Sequence, residues 1–356
     1  MTTQRRLARG TAWAARLLAV TMASWALAGD YFVATNGSHE PPFGTWGTAA
    51  TNIQAAVLAA NAANDASTVW VSNGYYAVSQ MIAITNARVC GYADDPASVV
   101  VDGGNAVRPF LLKHANAWLS GVTVVRGRAA DAALGGNGGG VYLDAGRVSN
   151  CAVTACAATG NGGGAYLNGG WMSTSAVWQC EATNSGGGLY LTAGTATACA
   201  VWGNLAGKEG GGISIVGTIM AKWGLADGCV VVSNTAAAAS SAGGVYCAYG
   251  TVRHCTVSEN IGSSPTWGIG GIYALNWSEV SGCFVSSNTG GHSGGFRVGQ
   301  YTVISNCVVV GNEGFAYAGA MYLGAISWIR DCRILANTGL QVGGIVTIYD
   351  GSSAVV

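Results

Sequence analysis

The 356-residue sequence is poor in charge and in proline. Charged residues make up 9% of the chain, against roughly 25% in a typical soluble domain. Intrinsic disorder is excluded, because disordered chains are charged and poor in apolar residues, whereas 50% of this chain is hydrophobic. With 5 prolines and no glycine at every third position, the chain is not collagen-like. The 16 basic residues only balance the 16 acidic ones, so no nucleic-acid partner is expected.

Long hydrophobic runs are absent beyond the N-terminus. There, three arginines within the first nine residues precede an apolar run over residues 17–28 that ends in Ala-Leu-Ala. This order predicts a secretory signal peptide over residues 1–28 and a secreted or surface-displayed protein. A membrane anchor is the alternative, although Arg16 leaves only about a dozen apolar residues where roughly 20 are needed to span a bilayer. No other transmembrane segment is predicted.

Glycine is abundant, with 56 residues, and it marks an internal repeat. A Gly-Gly pair, once replaced by Gly-Ala, recurs at intervals of 24 to 32 residues. It is followed by an apolar residue, then usually by tyrosine, then by another apolar residue. This alternation predicts a strand with its apolar side chains on one face. The pairs begin at Gly139, Gly163, Gly187, Gly211, Gly243, Gly270, Gly294, Gly319 and Gly343.

A second strand is predicted in each unit around an anchor residue that is usually cysteine. Apolar residues stand three positions before the anchor and two after it. Asparagine commonly stands five positions after it, where it tolerates the left-handed backbone angles of a turn and can bridge neighbouring coils. The anchors are Cys151, Ser175, Cys199, Cys229, Cys255, Cys283, Cys307 and Cys332.

Stacking of these units predicts a parallel β-helix. A unit of about 24 residues cannot bury its apolar face alone, but it can do so against its neighbours, with equivalent residues about 4.8 Å apart. Residues 29–66 are predicted to form an N-terminal strand and a capping helix, about 52–62, with a Thr51–Gln54 capping box. The solenoid is predicted over residues 67–356, with a C-terminal end that is uncapped or truncated. Such an open end is a candidate site of oligomerisation.

The pattern G-G-[VLI]-Y-L followed by V-x-N-C-x-V-x-x-N resembles the right-handed parallel β-helix proteins of the pectin-lyase-like superfamily. More narrowly, it resembles exported repeat proteins related to polymorphic outer-membrane proteins. The resemblance covers roughly residues 67–356. It implies an all-β fold, a right-handed parallel β-helix of about 24-residue coils with an N-terminal helical cap, and it selects no particular activity.

The 11 cysteines are predicted to form a stack of buried thiols. Seven of them occupy the inward anchor column, where the parallel Cβ vectors of stacked residues give a poor geometry for a disulfide. Disulfides are the alternative, because export permits them. Zinc ligation needs clustered ligands such as C-x2-C, which the sequence lacks. No metal and no cofactor is predicted.

No catalytic residue is predicted, because the acidic residues are spread thinly along the chain. The adjacent pair Asp94-Asp95 precedes a proline and is interpreted as a turn. His292, within Gly-His-Ser, and Arg333, before isoleucine, faintly resemble hydrolase motifs whose aspartates are missing here. Solvated positions are expected for the other histidines, which are His39, His114 and His254.

Outward aromatic residues are the better functional indication. Stacked exposed rings suit the apolar faces of sugars, although they can also simply stack on one another and fix the register. The sequence therefore predicts a secreted or surface-displayed, non-catalytic scaffold, adhesin-like, that contacts polysaccharide or cell-surface glycan. The alternative is a polysaccharide lyase or glycoside hydrolase. The candidate ligand-binding residues are Trp178, Trp202, Tyr142, Tyr166 and Tyr190.

Overall fold

The computed structural model describes residues 29–63, 67–93, 95–218, 224–324 and 326–347, together with the backbone of residues 353–354. Within these residues the chain is an all-β parallel β-helix, as predicted. The predicted signal peptide lies outside the described residues, as does most of the chain after residue 347. No helix of the described part combines the length and the apolar character needed to cross a bilayer.

Four parallel sheets form the walls of the solenoid, and they are numbered in the order in which a complete coil visits them. The first two contain 11 and 13 strands within the described residues. Sheet 1 consists of Ile82–Ile84, Phe110–Leu112, Val141–Leu143, Ala165–Leu167, Leu189–Leu191, Ile213–Val216, Val245–Ala248, Ile272–Leu275, Phe296–Val298, Met321–Leu323 and Ile345–Thr347. Sheet 2 consists of Asp30–Val33, Ser67–Val71, Ala87–Gly91, Trp118–Ser120, Arg147–Ser149, Trp171–Ser173, Thr195–Thr197, Leu225–Asp227, Thr251–Arg253, Glu279–Ser281, Val303–Ser305, Trp328–Arg330 and Ser353–Ala354.

The other two sheets contain 11 and 9 strands within the same residues. Sheet 3 consists of Gly74–Ala77, Val99–Asp102, Thr123–Val125, Ala152–Thr154, Ala176–Trp178, Ala200–Trp202, Val230–Val232, Thr256–Ser258, Phe284–Ser286, Val308–Val310 and Arg333–Leu335. Sheet 4 consists of Arg128–Ala129, Ala157–Ala158, Glu181–Ala182, Leu205–Ala206, Thr235–Ala236, Ile261–Gly262, Thr289–Gly290, Glu313–Gly314 and Thr338–Gly339.

The register of the sheets confirms the columns expected from the repeat. Val141 pairs with Ala165 in sheet 1, and Val148 pairs with Met172 in sheet 2. The same correspondence continues coil by coil along both sheets and along sheet 3. Because equivalent residues lie directly above one another, their apolar side chains fill one continuous core along the axis.

The corners differ from the prediction in one respect. The segment predicted as a single second strand is two strands, one in sheet 2 and one in sheet 3, which meet at the anchor residue. The chain turns at the residue before the anchor: His254, which precedes Cys255, has a left-handed φ of 52°. At the next corner Glu259 precedes Asn260 and has a φ of 58°. The expectation that the ladder asparagines themselves adopt left-handed angles is therefore wrong.

The Gly-Gly pairs are explained by close approach between coils. Gly162 takes a left-handed φ of 68° just before its pair. A Cβ atom on Gly163, the first residue of the pair, would meet the carbonyl oxygen of Gly187 in the next coil. The pair itself is thus needed for backbone-to-backbone contact, whereas the left-handed angle belongs to the residue before it.

Asparagine side chains form a buried ladder, as predicted. The Asn260 amide donates to the carbonyl oxygen of Val231 at 2.9 Å and to Oδ1 of Asn288 at 2.9 Å. Its own Oδ1 accepts from the backbone N–H and the side-chain amide of Asn234, at 2.9 and 3.0 Å. Buried amides are tolerated because every group is paired. The ladder consists of Asn204, Asn234, Asn260, Asn288, Asn312 and Asn337.

The cysteine column is a stack of thiols, which was the favoured prediction, rather than a set of disulfides. Ten of the 11 cysteines are buried and reduced. Each thiol of the anchor column donates to a backbone carbonyl, as Cys255 does to that of Arg253 at 3.2 Å. Burial raises the pKa of Cys151 to about 12, so its thiol is neutral and packs as a small apolar side chain.

The N-terminal cap contains the strand Asp30–Val33 and the helix Ile53–Ala62. The strand pairs in parallel with Ser67–Val71. The helix buries the face that the sequence predicts, which consists of Ile53, Ala56, Val57 and Ala60. The predicted capping box is wrong, because Asn52 is the N-cap and its side chain accepts from the Ala55 N–H at 2.8 Å. The described residues also contain the 3-10 helix Pro96–Ser98.

Candidate functional site

Tyr142, Tyr166 and Tyr190, which we call the tyrosine row, lie in register on the outer side of sheet 1. Their rings stack, with centroids 4.9 Å apart for Tyr142 and Tyr166, and 5.2 Å apart for Tyr166 and Tyr190. All three are half-buried, and burial raises the pKa of Tyr190 to about 12. At one end the Arg108 guanidinium covers the Tyr142 ring at 5.5 Å. The inner ring faces are therefore occupied by neighbours.

Trp178 and Trp202, the tryptophan pair, lie on the outer side of sheet 3. Their ring centroids are 4.9 Å apart and their planes differ by 2°. Trp202 is 38% exposed, whereas Trp178 is half-buried between Trp202 and Thr154. Trp202 lies between Trp178 and Val232 and is the member of the pair that is more open to solvent.

The structure does not bring the predicted residues together into one site. The tyrosine row belongs to sheet 1 and the tryptophan pair to sheet 3, and each coil passes through sheet 2 between them. A single ligand that contacts both groups must therefore cross the outer side of sheet 2 or of sheet 4.

Sheet 2 carries a row of alternating arginine and tryptophan side chains that sequence reasoning missed. In register along four successive coils lie Arg88, Trp118, Arg147 and Trp171, which we call the arginine–tryptophan row. The Arg88 guanidinium lies 5.5 Å from the Trp118 ring centroid, and that of Arg147 lies 5.6 Å from the Trp171 centroid. Such cation–π contacts hold the guanidinium groups while leaving their N–H donors available.

The row is open to solvent and carries net positive charge. Trp171 is 52% exposed, and both arginines are exposed. Neither Arg88 nor Arg147 forms an ion pair with any residue that the structure describes. An ion pair with a ligand carboxylate would therefore not have to break an existing one.

A groove of about 560 Å³ lies beside the first two members of this row, Arg88 and Trp118. The indole N–H of Trp118 donates to the Ser149 hydroxyl at 2.8 Å and so fixes the ring at the groove wall. Aromatic faces, several hydroxyls and a guanidinium line the groove, which is a composition that suits a sugar carrying a carboxylate. The groove is lined by Trp70, Arg88, Tyr92, Trp118, Ser120 and Ser149, among others.

Comparisons with known proteins concern the fold. No protein-family model and no curated protein matches the sequence. Among solved structures, the A-module of a mannuronan C-5 epimerase from Azotobacter vinelandii is similar, with a TM-score of 0.50 and 14% identity over 85% of this chain and 95% of that chain. A pectate lyase has a TM-score of 0.40 and 14% identity over 91% of this chain and 79% of that chain. The catalytic unit of an α-1,3-glucanase from Streptomyces thermodiastaticus has a TM-score of 0.42 and 13% identity over 85% and 66%.

The chain is a parallel β-helix, and the A-module of the mannuronan C-5 epimerase is similar to it in fold. The narrower resemblance to exported polymorphic outer-membrane-type repeat proteins stays a prediction. At such low identity the likeness extends to the fold, and the chemistry must be argued from the side chains on this particular β-helix.

Several carboxylates of this β-helix are paired with arginine. Asp102 is buried and bonded to Arg126, and this bond lowers the Asp102 pKa. Asp227 accepts from Arg253 at 2.9 Å, which is the main reason that its pKa is lowered, and lies 3.1 Å from Nδ1 of His254. A glycosidase general acid needs the opposite shift, a raised pKa. These carboxylates are suited to ion pairs rather than to proton donation.

The other acidic and histidine candidates have local structural roles. Asp95 accepts from the Ala97 N–H at 3.0 Å in the turn that was predicted, while Asp94 lies outside the described residues. Among the described residues, no three His, Cys, Asp or Glu side chains are grouped so that they could hold a metal ion. The expectation of solvated histidines is confirmed for His39, His114 and His254, which are exposed.

His292, by contrast, is fully buried. Its ring lies among Trp267, Tyr317 and Tyr322, with centroid distances of 5.3, 4.8 and 3.9 Å. Neither ring nitrogen has a hydrogen-bond partner among the described residues, and burial, with a smaller effect of Arg297, lowers its pKa to about 4. A neutral imidazole that is closed off from solvent cannot contact a polymeric substrate. His292 therefore has a packing role within this aromatic cluster.

The arginine–tryptophan row had a signal in the sequence. Its members Arg147 and Trp171 each stand four residues before an anchor, Cys151 or Ser175. That position reads Arg, Trp, Thr, Leu, Thr, Glu, Val and Trp along the repeat, so it shows no common residue type. Reading this column for charge and aromaticity, rather than for identity, would have found the row.

Proposed function

We propose that the protein is an exported, non-catalytic β-helix scaffold, adhesin-like, that binds an acidic polysaccharide along sheet 2. The observation that carries this proposal is the arginine–tryptophan row, in which two unpaired guanidinium groups alternate with two indole rings. The groove that contains Arg88 and Trp118 forms one end of the binding surface.

The spacing of the row fits an extended chain lying along the axis. Arg88 and Arg147 are two rungs apart, which corresponds to about 9.6 Å at roughly 4.8 Å per rung. Carboxylates on a uronate chain would bind the guanidinium groups, and the apolar faces of the sugar rings would pack on the indoles. Trp171, which is 52% exposed, marks the other end.

The aromatic residues predicted from the sequence are proposed as flanking contacts. In one coil, Tyr166, Trp171 and Trp178 lie on sheets 1, 2 and 3 respectively. Trp202 is the better exposed of the tryptophan pair, so it is the member expected to meet a ligand. The tyrosine row contributes ring edges and hydroxyl groups, because its inner faces are stacked.

Export is part of the same proposal. It rests on the arginine-led apolar segment over residues 1–28 with its Ala-Leu-Ala ending. A polysaccharide or cell-surface glycan is a ligand that an exported protein encounters. Fractionation of expressing cells, with N-terminal sequencing of the mature protein, tests the predicted cleavage after Ala28.

The binding test compares two tryptophans at the same position of the repeat. Trp171 and Trp328 both stand four residues before an anchor and are 52% and 40% exposed, but Trp328 pairs with Val303 rather than with an arginine. Calorimetric titration with polymannuronate and polygalacturonate is expected to show about tenfold weaker binding for Trp171→Ala, since stacked rings contribute about 1 kcal/mol or more. The Trp328→Ala variant should bind normally. Equal effects of the two substitutions would contradict the proposed surface.

The arginines are tested through salt. Binding is expected to weaken as ionic strength rises, because exposed charges are screened within about 10 Å at 0.1 M salt. Arg147→Gln should reduce both the affinity and its dependence on salt, and a neutral glucan should bind weakly with no such dependence. Normal polysaccharide binding after Trp178→Ala and Trp202→Ala would show that the tryptophan pair is not part of the binding surface. It would not contradict the proposal for sheet 2.

The alternative function is a polysaccharide lyase or glycoside hydrolase. The names of the similar structures describe an epimerase, a lyase and a glucanase, so the same polysaccharides should also be assayed for reducing ends and for unsaturated uronate. Turnover of any of them would contradict the non-catalytic part of the proposal. Binding without turnover supports it.

A further inference from the structure

A second concave site lies at the N-terminal end of the tyrosine row, on a different face from sheet 2. It has a volume of about 470 Å³, within the range of about 300–1,000 Å³ that is typical of small-molecule sites. Leu111 on its floor is the residue of sheet 1 that pairs with Tyr142. The apolar lining consists of Met81, Ala106, Val107, Leu111, Ala130, Ala133 and Leu134.

A buried arginine forms part of the same lining. The Arg108 side chain is 2% exposed. Its Nε donates to the carbonyl oxygen of Gly138 at 2.8 Å, and its Nη2 donates to Asp131 at 2.8 Å. These bonds fix the guanidinium plane and tie the loop at residues 131–138 to the solenoid.

Among the described residues, the remaining nitrogen of this guanidinium has only a weak acceptor. Nη1 of Arg108 faces the sulfur of Met81 at 3.3 Å, and a thioether is a poor hydrogen-bond acceptor. A cationic donor that is buried without a strong acceptor costs free energy. Met81 is half-buried and unbranched, so its flexible side chain can move aside for a stronger acceptor.

Two further cations line the mouth of the pocket. Lys113 and Arg128 are both exposed, and neither forms an ion pair with any residue in the described part of the chain. The carboxylate in the lining, Asp131, is already engaged by Arg108. The pocket therefore combines apolar walls with an excess of positive charge.

We propose that this pocket binds an amphiphilic carboxylate, a small acid with one carboxylate and an apolar acyl or aryl body. The carboxylate accepts from Nη1 of Arg108 once Met81 has moved and is attracted by Lys113 and Arg128. The apolar body packs on Leu111 and Leu134. This site is separate from the polysaccharide surface on sheet 2, so either proposal can fail without the other.

The ligand test uses decanoate, below the concentration at which it forms micelles, titrated into the full chain by calorimetry. Decanol carries the same chain without the charge, and acetate carries the charge without the chain. Decanoate is expected to bind about tenfold or more tightly than either control, because a hydrogen bond to a charged group and the burial of several methylenes each favour binding. Decyltrimethylammonium should not bind.

Variants then locate the site. The double substitution Lys113→Gln/Arg128→Gln should weaken decanoate binding about tenfold and leave any decanol binding unchanged. The matched control is Lys208→Gln/Arg330→Gln, which removes two exposed cations elsewhere and should bind decanoate normally. Leu134→Asn should weaken decanoate and decanol alike.

Four results would overturn the inference. Equal affinity for decanoate and decanol would mean an apolar hollow without anion recognition. Equal affinity for decanoate and acetate would mean a charged patch only. A failure of decanoate to bind, or binding unaffected by Lys113→Gln/Arg128→Gln, would show that the pocket does not have this function.

Discussion

The indole rings of Trp178 and Trp202 stack face to face, with centroids 4.9 Å apart and planes within 2°. Stacked aromatic pairs contribute about 0.5–1.5 kcal/mol beyond their burial. We therefore predict that Trp178→Ala and Trp202→Ala each lower the free energy of unfolding, and that the double variant loses about 1 kcal/mol less than the sum. Urea unfolding of the four proteins measures this coupling.

The control is a second double-mutant cycle, which combines Trp178→Ala with Trp328→Ala. These residues lie on different sheets and are several coils apart, so their effects should add to within about 0.5 kcal/mol. A coupling near zero between Trp178 and Trp202 would mean that their stacking has no part in holding the register.

The asparagine ladder predicts a large effect from one buried amide. Asn260→Ala removes the acceptor of the Asn234 N–H and one acceptor of the Asn234 side-chain amide, and it removes the side-chain donor to the Val231 carbonyl, whereas Asn288 Oδ1 keeps the backbone N–H of residue 260. Because each group left unpaired in the interior costs about 1–3 kcal/mol, the loss in free energy of unfolding should be about 3 kcal/mol or more. Asn168→Ala on the surface is the control, with an expected change within about 0.5 kcal/mol. Similar losses for both would contradict the ladder's structural role.

A pair of glycines tests the close packing of coils. Gly164 and Gly344 are each the second glycine of a Gly-Gly pair. A Cβ atom on Gly164 would press on Val177 and lie 2.8 Å from the Gly188 carbonyl oxygen, whereas on Gly344 it would have no described atom within 4 Å. Gly164→Ala is expected to cost about 1–3 kcal/mol through overpacking, and Gly344→Ala within about 0.5 kcal/mol. The midpoints of urea unfolding distinguish the two, and equal shifts would be inconsistent with this packing.

The core columns could be predicted from the sequence because stacking favours similar residues at equivalent positions of successive coils. Val153, Val177 and Val201 are identical and lie one above another in sheet 3. Each such position meets its own counterpart in the next coil, so an inward position keeps its residue type. The repeat in the sequence and the register in the structure therefore have one physical cause.

The corners and the outer rows follow no such rule. The left-handed residue before a ladder asparagine is Ser233 in one coil and Glu259 in the next, with φ of 55° and 58°, so the residue type does not indicate the backbone angle. Two-residue strands such as Glu181–Ala182 are too short to show alternation. On sheet 2, Arg147 and its neighbour Trp171 form a cation–π contact because they are different residue types. A search for repeated residues overlooks such alternation.

The buried His292 gives the protein a predictable response to acid. Its pKa is lowered to about 4 in the folded chain, against about 6.5 when unfolded. Between these values the unfolded chain binds a proton that the folded chain does not, so stability is full above about pH 6.5 and falls as the pH drops towards 4. At pH 4.5 the loss from this residue should be about 2 kcal/mol relative to pH 7.

The measurement compares urea unfolding at pH 7 and pH 4.5 for the parent chain and for His292→Phe, which fills the aromatic cage without a titratable group. The carboxylates contribute equally to both chains, so the difference between the two pH dependences isolates His292. The parent should lose about 2 kcal/mol more than His292→Phe over this interval. His114→Gln, a change at an exposed histidine, should keep the full dependence of the parent. If His292→Phe also keeps it, the imidazole has the same pKa in the folded and the unfolded chain, as a solvated imidazole would, and the closed aromatic cage around it is not the state of the protein in solution.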